Sequence, residues 1–182
     1  SDSPEHVFFE STGENAIESL AVSADGTWFV AGDKEGNLRS WSISDRKELK
    51  TAKAYSTGVI QTAISPDAKK IATLTYDDEI TIWNADDLQQ QSRFKVDTNG
   101  LKRIEFMTSE LLAAAGETTS AWNVSTGKLD RELSFDRYNF VLGRSKDGSQ
   151  FVFGKDESLQ LWNIADNKPE TTVNGGFAQD EL

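Results

Sequence analysis

The chain has 182 residues and a formal net charge of −11. This acidity disfavours nucleic acid and anionic membranes as partners, because phosphate binding depends on Lys and Arg. With no cysteine, disulfides, thiolate metal sites and thiol nucleophiles are excluded. The hydrophobic content of 37% is sufficient for a packed core, and no apolar run approaches the roughly 20 residues of a membrane span.

The start of the chain shows no basic region followed by an apolar stretch, so no secretory signal is predicted. It opens with Ser1 rather than an initiator methionine. We therefore expect a piece of a longer protein, with any leader lying outside it. We expect a soluble protein, with the cytoplasm slightly favoured, although no compartment is established.

Short β-rich runs alternate with polar turns along the whole chain. The first run, His6–Glu10, is followed by a loop at Gly13–Asn15. A unit of four strands then contains the turn Asp25-Gly26, in which glycine can take a positive φ. The strands predicted for this first unit are Ile17–Val22, Trp28–Gly32, Leu38–Ile43 and Leu49–Ala52.

The same order of strands and turns follows three more times. The second unit has Val59–Ile64, Lys70–Thr75, Glu79–Ala85 and Ser92–Val96. The third has Leu101–Met107, Leu111–Ala115, Thr118–Val124 and Leu129–Phe135. The fourth has Asn139–Arg144, Gln150–Gly154, Ser158–Ile164 and Glu170–Val173. Short strands at regular spacing indicate an all-β fold.

Four tryptophans mark the period of these units. Trp41, Trp83, Trp122 and Trp162 stand 42, 39 and 40 residues apart. A fixed period of about 40 residues is typical of repeat arrays, and four strands per repeat describe the blade of a β-propeller. We therefore predict an all-β domain, 1–182, of four four-stranded antiparallel blades. The repeats are expected at about 13–54, 55–97, 98–136 and 137–176.

The turn motifs belong to the same pattern. Val-Ser-Ala-Asp-Gly at Val22–Gly26, Ile-Ser-Pro-Asp at Ile64–Asp67 and Ser-Lys-Asp-Gly at Ser145–Gly148 each precede a β-run and a tryptophan phrase. With the period, these residues resemble the WD-repeat β-propeller family over nearly the whole chain. Members of that family commonly close with seven or eight blades. The resemblance thus implies part of a larger ring, completed by further chain or by a second copy, with a self-closed four-blade ring as the alternative.

Several positions depart from the family pattern. The Gly-His dipeptide is absent, and the sole histidine is His6. The aspartate expected after each tryptophan is replaced by Ser42, Asn84, Asn123 and Asn163. The family's acidic residue six positions before tryptophan is matched by Glu35, Asp77 and Asp156, but the third repeat has Gly116. The family's His–Asp–Ser/Thr–Trp hydrogen-bond network therefore cannot form, and we expect blade rigidity to depend more on tryptophan packing.

Catalytic and metal-binding patterns are not found in the sequence. A single histidine disfavours Ser–His–Asp chemistry and histidine-based proton transfer. The acidic clusters at 77–79, 86–87 and 156–157 are better explained as turn residues than as paired carboxylates of a hydrolase. No calcium-loop, zinc or phosphate-loop spacing occurs. We expect no catalytic residue, no metal and no cofactor.

Candidate binding residues come from the contact face that the family resemblance implies. These positions match Glu18, Ile60, Lys102 and Phe140 on first strands, Lys34, Tyr76 and Lys155 before the acidic turn position, and Tyr55 and Tyr138 in loops. Tyrosine is favoured at interfaces because it combines a large contact area with a polar tip. The alternative for Tyr55 and Tyr138 is that they hold loops against blade edges.

The resemblance implies a non-catalytic scaffold that binds proteins or peptides within a larger protein or assembly. The chain's acidity favours partners with Lys/Arg-rich segments. We therefore expect a protein or peptide partner and neither a nucleic acid nor a membrane partner. We also expect the chain to contact the remaining blades of the ring. The alternatives are an architectural or sensory module fused to a catalytic or redox domain, and a carboxylate-based hydrolase.

Overall fold

A computed structural model describes residues 15–96, 103–116, 118–133, 140–145, 149–155, 158–164, 166 and 168–174. Within these ranges the chain forms sixteen strands in four sheets, here called blades 1 to 4. The predicted run at His6–Glu10 lies outside them. No helix in the described ranges is long and apolar enough to cross a membrane.

The strands follow one another in chain order. Blade 1 contains β1 (Ile17–Val22), β2 (Trp28–Asp33), β3 (Asn37–Ser42) and β4 (Glu48–Lys53). Blade 2 contains β5 (Val59–Ile64), β6 (Lys70–Thr75), β7 (Glu79–Asn84) and β8 (Gln90–Lys95). Blade 3 contains β9 (Arg103–Phe106), β10 (Leu111–Ala115), β11 (Thr119–Asn123) and β12 (Lys128–Leu133). Blade 4 contains β13 (Phe140–Arg144), β14 (Gln150–Lys155), β15 (Ser158–Asn163) and β16 (Lys168–Asn174).

Every blade is an antiparallel meander in which each strand pairs with its sequence neighbours. The prediction of four four-stranded antiparallel blades is therefore confirmed. Each blade also shifts register between its third and fourth strands at the tryptophan of its repeat: Trp41, Trp83, Trp122 and Trp162. Such an irregularity increases local strand twist, so the repeated tryptophan phrase also marks a repeated bend.

The hydrophobic core lies between consecutive blades. The innermost strands β1, β5, β9 and β13 contact one another in that order. Between blades 1 and 2, Val30 and Leu38 pack with Ile71 and Trp83. One cluster joins blades 2 and 3, and another joins blade 3 to Phe151 of blade 4. β6 and β7 are buried along most of their length, as expected for sheets covered on both faces.

Blade 2 contains a buried hydrogen-bond network around Thr73. Trp83 Nε1 donates to Thr73 Oγ1 at 2.8 Å, and the Tyr55 hydroxyl lies 2.7 Å from the same oxygen. The Tyr55 ring meets Trp83 edge-on at 6.1 Å, and the Arg93 guanidinium lies 5.0 Å from the Tyr55 centroid. The prediction that blade rigidity depends more on tryptophan packing is therefore incomplete for blade 2. A Tyr–Thr–Trp network holds its tryptophan without histidine.

The corresponding positions of blades 1 and 3 have no hydroxyl. By strand register, Ala31 and Ala114 occupy the place that Thr73 has in blade 2. Trp41 Nε1 and Trp122 Nε1 are buried without a hydrogen-bond partner within the described part of the chain. In blade 1 the tryptophan instead stacks on Phe29, with the ring centroids 5.0 Å apart. Packing thus dominates at these two tryptophans, as the sequence predicted.

Candidate binding surface at the junction of blades 1 and 2

The turn between β2 and β3 is organised by the buried carboxylate of Asp33. Its Oδ1 accepts hydrogen bonds from Glu35 N at 3.0 Å and Asn37 N at 2.8 Å, and its Oδ2 accepts one from Asn37 Nδ2 at 2.7 Å. Burial acts to raise the pKa of Asp33, but the hydrogen bonds from Asn37, Asn15 and Glu35 together outweigh it and leave the pKa lowered. The ionised carboxylate fixes a turn on which Lys34 is exposed.

Tyr76, which follows β6, is the most exposed large side chain near this turn. The residue is 62% exposed. Its hydroxyl donates to Glu18 Oε1 of blade 1 at 2.9 Å. This hydrogen bond raises the pKa of the Tyr76 hydroxyl, with smaller contributions from desolvation and from the negative charge of Glu18, so the phenol remains a donor. The bond crosses the boundary between the blades and therefore orients an exposed aromatic ring.

Gly58 lies beneath this pair and permits the close approach of three segments. A Cβ on Gly58 would come within 2.6 Å of Glu18 Oε2, 2.9 Å of the Lys34 carbonyl oxygen and 3.1 Å of Tyr76 Cε2. Glu18 Oε2 is buried and has no hydrogen-bond partner among the described residues. We call Glu18, Lys34, Gly58 and Tyr76 the junction surface. It combines an aromatic face with a carboxylate that retains acceptor capacity.

The structure brings together three of the predicted contact residues, Glu18, Lys34 and Tyr76. Tyr55 is 8% exposed and packs in the core between blades 1 and 2, which fits the alternative that it holds its loop against the blade. Ile60 is half-buried and packs against the core between blades 2 and 3. Phe140 begins β13 and Lys155 ends β14, at the same end of blade 4. Lys102 and Tyr138 lie outside the described residues.

Sequence reasoning missed two residues that shape the junction surface. Asp33 is not among the predicted contact residues, although an aspartate four positions before an asparagine in a turn is a recognisable signal for side-chain capture of turn amides. Gly58 gave no signal, because its role depends on segments from both blades. Among the described residues, no group of three or more His, Asp or Glu side chains is placed to hold a metal ion.

Consecutive four-stranded antiparallel sheets, joined through their innermost strands, define the class of β-propeller proteins. The family model described as WD domain, G-beta repeat, matches residues 3–42. The chain is thus similar to WD-repeat β-propeller proteins, with that family model covering most of its first repeat unit.

Similar proteins span several eukaryotic lineages. The target of rapamycin complex subunit LST8 of Saccharomyces cerevisiae is 29% identical over 80 residues, covering 41% of this chain and 26% of that protein. The U3 snoRNP-associated protein-like EMB2271 of Arabidopsis thaliana is 24% identical over 169 residues, covering 86% of this chain and 33% of that protein. A crystal structure of RRP9 WD40 repeats matches with a TM-score of 0.69 and 21% identity, over 91% of this chain and 53% of that one. The chain thus spans about half of that structure and a smaller share of these relatives.

Proposed function

We propose that this chain is a non-catalytic scaffold that binds a protein or peptide segment through the junction surface. The observation that carries the proposal is the exposed ring of Tyr76, held in place by Glu18 of the neighbouring blade. Aromatic side chains anchor interfaces when they are exposed yet already ordered, because little conformational entropy is then lost on binding. The hydrogen bond to Glu18 supplies that order before a partner arrives.

The chemistry of the surface favours a Lys or Arg side chain in the partner. The negatively charged carboxylate of Glu18 is hydrogen-bonded to Tyr76, so a cation over the exposed face of Tyr76 would be attracted by both groups. The chain's net charge of −11 attracts basic segments from a distance. Lys34 carries the opposite charge, so we expect an acidic or polar residue of the partner on its side of the surface.

The names of two relatives support a role in assemblies. One is a subunit of the target of rapamycin complex, and another is associated with the U3 snoRNP. Because the second name concerns a ribonucleoprotein, RNA is the competing partner class. The charge of −11 favours protein over RNA, since RNA binding requires a surface that neutralises phosphates.

An array of short peptides with graded Lys/Arg content tests the proposal on the 182-residue chain. We expect retention to rise with basic content and to fall about tenfold or more for Tyr76→Ala, the loss typical of an interface anchor. Tyr76→Phe keeps the ring and should retain more binding. The matched control is Leu129→Ala, which removes an exposed apolar side chain from the outer strand β12.

Two results would contradict the proposal. Retention of acidic peptides in preference to basic ones would refute the charge argument. Equal retention by Tyr76→Ala and the unaltered chain, with equal melting temperatures, would show that the partner binds elsewhere.

A further inference from the structure

A polar cavity lies where the innermost strands of all four blades meet, and we call it the axial cavity. Its volume is about 280 Å³. It shares no residue with the junction surface. Its polar and charged lining comes from β5, β9 and β13 and comprises Gln61, Thr62, Arg103, Glu105 and Arg144.

The charged residues of the axial cavity are two arginines and one glutamate. Arg144 Nε lies 3.5 Å from Glu105 Oε1. Arg103 lies two residues before Glu105 on β9, so the two side chains share a face of the sheet. Burial raises the pKa of Glu105, while the charges of Arg144 and Arg103 act against that rise. With Glu105 ionised, the lining carries one positive charge more than negative, inside a chain of net charge −11.

Two polar atoms of this lining have donor capacity that the described residues leave unused. Arg144 Nη1 and Thr62 Oγ1 are buried and have no hydrogen-bond partner within the described ranges. A buried donor without an acceptor is unfavourable, and a guanidinium donor more so because it is charged. An acceptor that entered the cavity would relieve both.

We propose that the axial cavity binds a small oxyanion of the phosphate type between Arg103 and Arg144. The planar donor fork of arginine matches the oxygens of phosphate, and two guanidiniums supply the charge for a dianion. The cavity has room for such a group, since a water molecule occupies only about 30 Å³ of liquid. The site goes beyond the proposed scaffold function, because it needs no peptide partner.

The melting temperature of the 182-residue chain, measured against inorganic phosphate at constant ionic strength, tests the proposal. A ligand that binds only the folded state gives a rise that follows the logarithm of its concentration once that concentration exceeds the Kd. Arg103→Gln and Arg144→Gln should each weaken the apparent Kd about tenfold or more. Glu105→Gln removes the carboxylate that competes for Arg144, so it should tighten phosphate binding. This opposite direction keeps the test decisive if an arginine variant fails to fold.

The matched control is Arg131→Gln, which removes an arginine from the outer strand β12. It should titrate like the unaltered chain. A rise that is linear in phosphate and equal in all variants would be a general salt effect and would overturn the proposal. Absence of any rise, or weaker binding by Glu105→Gln, would overturn it as well.

Discussion

Replacing Thr73 by valine tests whether the Tyr–Thr–Trp network stabilises blade 2. Thr73 is fully buried, and its Oγ1 accepts from Trp83 Nε1 at 2.8 Å and lies 2.7 Å from the Tyr55 hydroxyl. Valine keeps the shape of threonine but removes the shared oxygen. Both partners then remain buried without their hydrogen bond.

The expected loss of stability follows from the two groups that lose their hydrogen-bond partner, Trp83 Nε1 and the Tyr55 hydroxyl. A buried donor or acceptor left unpaired costs about 1–3 kcal/mol, so Thr73→Val should lower the free energy of unfolding by about 2–6 kcal/mol. Tyr55→Phe removes one hydroxyl but leaves the bond between Trp83 and Thr73, so it should cost about 0.5–1.5 kcal/mol. Thr51→Val, at an exposed position of β4, is the matched control and should change stability by less than about 0.5 kcal/mol.

Urea unfolding followed by tryptophan fluorescence measures these differences. We expect the midpoint to fall for Thr73→Val at an unchanged slope. Thr73→Val and Tyr55→Phe both break the hydrogen bond between Tyr55 and Thr73. The variant with both substitutions should therefore lose less stability than the sum of the two single losses. A loss below about 0.5 kcal/mol for Thr73→Val, or strictly additive effects, would refute the network as a stabilising unit.

Two further predictions concern turns of blade 1. Gly36→Ala should lower the free energy of unfolding more than Gly26→Ala. Both glycines have a positive φ, 82° and 70° respectively. A Cβ on Gly36 would lie 2.4 Å from the Thr57 carbonyl oxygen, whereas a Cβ on Gly26 would have no atom within 4 Å. Equal urea midpoints for the two variants would contradict this. Asp33→Ala should cost about 2 kcal/mol or more, because the donors of Glu35, Asn37 and Asn15 lose their acceptor. Because the pKa of Asp33 is lowered in the folded state, its ionisation contributes stability above the unfolded pKa of about 3.9, and this stability is lost as pH falls through the folded pKa. Asp33→Ala should therefore lose less stability on acidification than the unaltered chain. Parallel pH profiles of the two proteins would contradict the Asp33 argument.

The blades could be predicted because their signal is local and repeated. The spacing of Trp41, Trp83 and the later tryptophans sets the period, and turn residues such as Asp25-Gly26 bound the strands. The role of Tyr55 could not be decided in the same way. The burial of Tyr55 depends on how the β4–β5 loop folds over blade 2, which brings its hydroxyl next to Thr73. Thr73 in turn lies beside Trp83 because of the register between β6 and β7.

The junction surface was predictable in part. Mapping the family face selected Glu18, Lys34 and Tyr76, which the structure brings together. The bond from Tyr76 to Glu18 links residues 58 positions apart, so it depends on how the blades pack. The pairing of the axial arginines could not be predicted for the same reason, since Arg103 and Arg144 belong to different repeats and come together only in the folded chain.

The most direct test of the scaffold function is the affinity ratio between Tyr76 variants for the basic peptide that binds best in the array. In fluorescence anisotropy titrations of the 182-residue chain, we predict a Kd weakened about tenfold or more by Tyr76→Ala, with Leu129→Ala unchanged. Added salt should weaken binding to the unaltered chain, because the attraction of the acidic surface is screened. Equal Kd values for Tyr76→Ala and the unaltered chain would contradict a binding role for the junction surface.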